Sequence, residues 1–463
     1  MLPHDQYVGS SITVDHASRL PEQAQLETWA QRALQAARRL GASDAEAQIY
    51  AGRALTVSVR MGEVESVQFQ RDRELSLSVY FGRCTGAATT SDLSDAGIRR
   101  AAEAACTIAR ASGEDPYNGL PDAALLARQF PELDLCHPWS LQATQALELA
   151  RACETAGLEM DRRITGSEGA NLDSRHSRSV LVNSAGFCGW RESTEHSLGC
   201  NLIAAAADGM QQGYWYTSAR APGDLAPPEV VGRTAAARAL AALGARTLST
   251  RRVPVVFAAE VARGLLGHFC AAISSDALYR RASFLLDKLG ETVFSPVVRI
   301  SQRPFLRRAP ASAAFDQEGV ATRERVLVED GRLTGYLLNS YAARRLGTVT
   351  TGNAGGIFNL VVEPTAGDQA ELLAAMGRGL LVTELMGQGV NLVTGDYSRG
   401  AAGFWVEGGH IAQPVQEITV AGNLLRMFAG IEAIGNDVDT RGAIRCGSVL
   451  IDALTLSGGG SAG

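Results

Sequence analysis

The chain is predicted to be an α+β protein: an N-terminal antiparallel sheet with helices, then a C-terminal curved, mostly antiparallel sheet or partly closed barrel with helices outside. Three observations predict it. Apolar residues alternate with period two in two blocks of the first half, helical repeats separate those blocks, and the second half carries hairpin signals centred on glycine. The 463 residues exceed one ordinary core. Two domains are therefore expected, 1–230 and 231–463.

Trp29, Ala33, Leu34, Ala37 and Leu40 recur at helical spacing and stop at Gly41, which predicts an amphipathic first helix over residues 25–41. From Glu46 to Thr89 the period becomes two. Strands are expected around Leu55-Thr-Val-Ser-Val-Arg, Glu65-Ser-Val-Gln-Phe and Leu75-Ser-Leu-Ser-Val-Tyr-Phe, with breaks at Met61-Gly62 and Arg71-Asp-Arg. They read as an antiparallel meander. Helices follow over about 94–111, with Ser91 or Ser94 as N-cap, and over about 140–155, closed by Gly157. Strands return between Arg163 and Ser218 around the Asn183-Ser-Ala-Gly turn, and an alanine-rich helix runs from Glu229 to Leu243.

Beyond it, Pro254 to His268 reads as a strand feeding a helix. Glu329-Asp-Gly-Arg and Glu407-Gly-Gly-His mark two hairpins, and short helices are expected near 340–346, 369–380 and 423–430. The glycine-rich tail, Ser457 to Gly463, is expected to fray.

Composition narrows the function. A formal net charge of -6 and a pI near 5.8 offer no basic field for phosphate backbones, so nucleic acid is excluded as a main partner. Arginine supplies nearly all the positive charge, since Lys288 is the only lysine. The opening residues lack a secretory pattern, and the apolar stretch from Val253 to Ile273 is interrupted by Glu260, Arg263 and His268. A cytoplasmic protein with no membrane partner is expected. Eight scattered cysteines form no Cys-x-x-Cys pair, which argues against a disulfide framework or a zinc knot. Cys136 and His137 are sequence neighbours, and no histidine pair has metal-ligand spacing.

The helix after Pro254 carries Glu260 where a zinc-peptidase helix keeps its catalytic base. Such helices place histidines around that glutamate, but the flanking places here hold Ala259 and Gly264. His268 lies about 12 Å further along the axis, too far to share a metal with Glu260.

Other clusters keep two readings each. Gly395-Asp-Tyr-Ser-Arg-Gly400 through Trp405 to Glu407 is either a peptide or carboxylate anchor built on Asp396, Tyr397, Ser398, Arg399 and Trp405, or a tight turn in which Arg399 and Asp396 satisfy each other. Thr350 to Gly356, with Asn353, is better read as an irregular glycine bend than as a phosphate loop, for no Lys-Ser/Thr follows. Ser398 could be a hydrolase nucleophile with Asp396 and His268 or His410, and Cys446 could be a nucleophile or a buried structural thiol.

Taken with Gly41-Ala-Ser-Asp-Ala-Glu, Glu114-Asp-Pro-Tyr, Gly264-Leu-Leu-Gly-His-Phe, Glu417-Ile-Thr-Val-Ala-Gly-Asn-Leu and Gly435-Asn-Asp-Val, these blocks make the chain resemble the TldD/PmbA family, in its PmbA (TldE) branch. The resemblance implies a two-domain subunit that pairs with a TldD-like protein in a cytoplasmic metalloprotease acting on small or unfolded peptides, including peptide-antibiotic precursors and antitoxins. The TldD branch reads His-Glu-x-x-x-His, with a further cysteine ligand downstream. Laid onto this chain, the histidines fall on Ala259 and Gly264, the glutamate on Glu260, and the cysteine on Cys446 as a remnant. The expectation is no cofactor in this chain, zinc in the partner, Glu260 as a vestigial catalytic residue at the helix surface or an interface, and a possible homodimer when the chain is alone.

Overall fold

A computed structural model describes residues 19–207 and 209–458. In the first half the order is α1 (Gln23–Arg39), β1 (Asp44–Arg60), β2 (Glu63–Phe81), β3 (Cys84–Thr90), α2 (Asp95–Ala111), α3 (Ala143–Leu158), β4 (Ile164–Asn183), β5 (Cys188–Ala206), β6 (Gly209–Ala219) and α4 (Pro228–Ala241). The six strands form one sheet ordered β3-β2-β1-β4-β5-β6, antiparallel throughout.

Side chains alternate across a strand, so the odd positions of β1 share one face. Ala45, Ala47, Ile49 and Ala51 pack beneath α1 and α2, and Leu55, Val57 and Val59 beneath α3 and α4. Arg53 interrupts that apolar row between the two helix pairs. Its register partners are Arg71 on β2 and His176 on β4, and His176 in turn faces Thr194 on β5. A polar seam therefore crosses the sheet between two apolar cores.

Two expectations are corrected here. Arg71-Asp72-Arg73 does not break a strand: β2 runs on, pairing these residues with Arg53, Gly52 and Ala51. Their charge reflects the exposure of β2 over residues 67–74, where a strand needs no apolar alternation. Gly157 does not close α3 but lies inside it, at the crossing with α4. A Cβ on Gly157 would sit 2.7 Å from the Gly232 carbonyl, and one on Gly232 would sit 1.8 Å from the Cys153 carbonyl. The glycines permit helix contact rather than helix termination. Ser94, not Ser91, caps α2 by accepting from the Gly97 N–H at 3.1 Å.

The second half comprises β7 (Arg251–Phe257), α5 (Ala259–Ala272), α6 (Ser275–Tyr279), β8 (Ile300–Gln302), β9 (Arg325–Glu329), β10 (Arg332–Leu333), α7 (Ser340–Arg345), β11 (Leu360–Val362), α8 (Gln369–Met376), β12 (Gly379–Met386), β13 (Asp396–Glu407), β14 (His410–Asn423), α9 (Leu424–Ala429), β15 (Ile431–Ile434), β16 (Ile444–Arg445) and β17 (Val449–Gly458). Strands β7, β12, β13, β14 and β17 close a ring, because β14 pairs with β13 on one side and β17 on the other. The expected partly closed barrel is thus closed. A second sheet runs β10-β9-β8-β11-β16.

Both expected hairpins form, with Asp330, Gly331, Gly408 and Gly409 all at positive φ as two-residue turns require. Within the Gly395 to Glu407 stretch, Asp396–Glu407 is strand β13 rather than a loop or tight turn. Its glycines serve close approach, for a Cβ on Gly403 would lie 1.9 Å from the Leu381 carbonyl of β12. Of the tail expected to fray, Ser457 and Gly458 still belong to β17, and residues 459–463 lie outside the described residues, as do residues 1–18. Among the described residues no helix is long and apolar enough to cross a membrane.

Candidate functional site

β7 delivers the chain to the start of α5 at the boundary between the two halves. Glu260, in the first turn, is held by Arg238 of α4, with Nη1 2.7 Å from Oε1. One turn on, Arg263 donates to the Tyr216 hydroxyl at 3.0 Å and lies 3.5 Å from the Asp439 carboxylate. Arg441 clamps Asp439 through Nε at 2.9 Å and Nη2 at 3.1 Å, and donates from Nη1 to the Tyr216 carbonyl at 3.0 Å. Its guanidinium stacks 4.2 Å from the Trp215 ring, with Arg238 over the same ring at 5.1 Å. Burial pushes the Asp439 carboxyl up, but the hydrogen bonds and charge of Arg441, with Arg263, outweigh it and hold it below the ordinary range.

The residues at this helix do not fit a zinc ion. Ala259 and Gly264 carry no side-chain donor atom, which leaves Glu260, bonded to Arg238, as a lone carboxylate. A Cβ built on Gly264 meets nothing within 4 Å, so the place of the second histidine is open space. Cys446 is fully buried, its thiol donates to the Gly447 carbonyl at 3.2 Å, and burial, with Asp437, pushes it up to about 12. With no exposed surface, the Cys446 thiol is out of reach of a substrate as a nucleophile.

The structure splits the Asp396 to Trp405 cluster between two faces of β13. Asp396 and Ser398 are exposed; Tyr397 and Trp405 are buried. Asp396 does not pair with Arg399. Its carboxylate accepts from Thr394 Oγ1 at 2.7 Å and Asn423 Nδ2 at 3.3 Å, bonds that hold its carboxyl below the usual range. Trp405 donates to Glu407 at 3.0 Å. Asn353 is satisfied within its bend, donating to Gln302 Oε1 at 2.6 Å and the Gly356 carbonyl at 2.9 Å.

On the buried face of β13 a different group gathers. The ring of His268, from α5, lies 6.0 Å from that of Tyr397, and Arg399 is close enough to act on both by charge. His268 Nε2, the Tyr397 hydroxyl and Arg399 Nε are each sealed from solvent without a hydrogen-bond partner. Burial, then Arg399, holds the His268 imidazole neutral, and burial pushes the Tyr397 phenol up to about 12. The triad reading fails on this arrangement, for Ser398 faces away from His268, and His410 pairs with Glu407, nine positions along β13 from Ser398.

One cluster was not visible as a motif. In the polar seam, Cys136 Sγ lies 3.7 Å from His176 Nε2, which lies 2.8 Å from Glu192 Oε1. Burial, then Glu192, pushes the metal-free thiol up to about 12. These three side chains form a candidate metal site, so the expectation that the chain itself offers no metal ligands is withdrawn. The expectation came from looking for spacing along the chain, whereas the trio joins a loop to two strands. The Asn183-Ser-Ala-Gly turn carried part of the signal, since its register sets His176 diagonal to Glu192.

Family profiles described as PmbA/TldA metallopeptidase domain 1, central domain and C-terminal domain match residues 45–109, 136–243 and 250–458. This chain belongs to the PmbA/TldD metallopeptidase family. Its place is the PmbA branch: the metalloprotease PmbA of Escherichia coli O157:H7 is 46% identical over 419 residues, covering 90% of this chain and 93% of that protein. The crystal structure of a candidate modulator of DNA gyrase from Bacteroides thetaiotaomicron superposes with a TM-score of 0.89 at 28% identity, covering 93% of this chain and 98% of that one. TldE from Thermococcus kodakarensis shares the fold, with a TM-score of 0.82 at 19% identity over 93% of this chain and all of that one.

Proposed function

We propose that this PmbA-branch chain is the non-catalytic subunit of a cytoplasmic two-subunit metallopeptidase, whose TldD-like partner carries the zinc helix. The observation that carries this reading is the start of α5. Where a zinc helix would present two imidazoles and a free glutamate, this helix presents Ala259, an open place at Gly264, and Glu260 bound to Arg238. The chain keeps the fold of a peptidase and uses the position to tie its two halves together. Small or unfolded peptides, such as peptide-antibiotic precursors and antitoxins, are the substrates this family membership favours. The exposed face of β13, with Asp396 and Ser398, is the part of this chain we assign to peptide contact, through side chains and not a strand edge, since β13 pairs with both β12 and β14.

A standalone hydrolase has no assembled nucleophile to draw on, given the burial of Cys446 and the orientation of Ser398. The test is reconstitution. The purified chain is mixed with a TldD-like protein from the same cell, and peptide cleavage is followed with each protein alone and together. Cleavage only in the mixture, abolished when the partner's zinc histidines are replaced, is the expected result. Cleavage by this chain alone would overturn the reading.

A further inference from the structure

Cys136, His176 and Glu192 come from a loop and two neighbouring strands, yet their ligand atoms all lie within 4.8 Å of one another. Donors bound to one tetrahedral zinc at about 2.0–2.3 Å stand roughly 3–4 Å apart. The sulfur–nitrogen separation of 3.7 Å already matches, and the nitrogen–oxygen separation of 2.8 Å needs only a small opening. We propose that Cys136, His176 and Glu192 bind a zinc-class divalent metal ion in the polar seam of the N-terminal sheet. The site is independent of the α5 helix and of the subunit role proposed above.

The donor set selects the metal class. A thiolate beside an imidazole suits zinc or cobalt, whereas magnesium and calcium take oxygen ligands. The surroundings are built around the ligands. Arg178 Nε donates to Glu192 Oε1, the oxygen that also meets His176 Nε2, at 2.8 Å, and its Nη1 donates to the Leu20 and Pro21 carbonyls at 3.1 Å and 3.2 Å, which holds the carboxylate against the imidazole. The His176 side chain is only 11% exposed, and its Nδ1 is sealed without a partner. Every polar contact of that ring therefore runs through Nε2, the atom between the thiol and the carboxylate. As the metal–sulfur bond forms, the thiol proton leaves to solvent, and water fills the fourth coordination position.

The place suggests what the ion does. The irregular segment carrying Cys136 crosses the seam and is tied to β5 where the Leu135 carbonyl accepts from the Thr194 N–H at 2.9 Å and the His137 N–H donates to Thr194 Oγ1 at 2.8 Å. The same segment reaches the C-terminal half through Asp134, whose carboxylate takes Arg308 Nε at 2.7 Å. A metal at Cys136 would pin this segment to the sheet and steady the contact between the halves.

The experiment uses the full-length chain, stripped with chelator, then titrated with cobalt(II) and zinc(II) by absorption spectroscopy and calorimetry. One equivalent of cobalt with a thiolate charge-transfer band, displaced by zinc, is expected. Cys136→Ser should abolish the band, and Glu192→Gln should weaken binding by at least about 100-fold, the upper end of what losing a mere outer-shell partner costs. Cys188→Ser, which removes an exposed cysteine elsewhere, should change neither. Circular dichroism in chelator confirms that each variant is folded; if Cys136→Ser is not, Cys136→Ala and Glu192→Gln carry the comparison. No band in the wild type, a band that survives loss of Cys136, or one lost with Cys188 overturns the proposal.

Discussion

The start of α5 and the seam of the N-terminal sheet hold opposite arrangements of similar residue types. At α5 the acidic groups face arginines: Glu260 meets Arg238, and Asp439 meets Arg441 and Arg263. In the seam, Glu192 meets a thiol and an imidazole as well as an arginine. The first arrangement gives its carboxylates arginine partners and links the two halves of the chain; the second adds a thiol and an imidazole to a carboxylate that an arginine already holds. Descent from a metallopeptidase scaffold therefore does not locate metal-binding capacity. The donor set does, and here it lies in the other half of the chain.

The sharpest way to break that comparison is to remove Asp439. Its side chain is 3% exposed and that of Arg441 16%, so Asp439→Ala strands a buried guanidinium, at a cost of about 3–5 kcal/mol. Urea denaturation measures it, and a loss within error would mean that the network ties nothing together. Gly232→Ala tests the other half of the molecule. The new methyl would collide with the Cys153 carbonyl where α3 crosses α4, costing about 1–3 kcal/mol in the same measurement. An unchanged midpoint would show that the helices can part freely.

What could be read in advance followed from period and turn chemistry. The row Ala45, Ala47, Ile49, Ala51 alternates cleanly, and Glu329-Asp-Gly-Arg and Glu407-Gly-Gly-His each turn where two residues must take positive φ. Charged and glycine residues misled where tertiary context decides their role. Arg71 to Arg73 resemble a turn only because both faces of that strand are exposed, and Gly157 resembles a cap only because its partner Gly232 lies 75 positions away, beyond three strands. The candidate site divides likewise. Ala259 and Gly264 were legible because a helix fixes their spacing, but Cys136 meets His176 only after the chain has folded over the sheet, 40 residues apart.

A smaller effect concerns Glu46, on the β1 face opposite the helices. Burial, then the charges of Glu318 and Asp316 from the C-terminal half, raise its carboxyl to about 8. The folded chain thus holds a proton that the unfolded chain has released above about 4.5, so stability is highest at low pH in this window and is lost as pH rises towards 8. Glu46→Gln should flatten the fall in Tm between about pH 5 and 8 and raise Tm at the upper end. An unchanged slope would place the pH dependence on Asp316 instead, which burial and Glu318 also raise, to about 7.

The smallest expected effect is the most informative about chemistry. The side chains of Glu260 and Arg238 are 21% and 32% exposed, so Glu260→Gln should cost under about 1 kcal/mol of stability. In the complex with a TldD-like partner it should leave the rate of peptide cleavage nearly unchanged. A general base behaves otherwise, since removing one costs roughly 100- to 10,000-fold. The carboxylate at position 260 is the one element of the zinc-peptidase helix that this chain retains, and stability and rate separate its two possible roles. A small stability loss with full activity identifies it as the partner of Arg238, whereas a collapse in rate with the fold intact would return it to the active site.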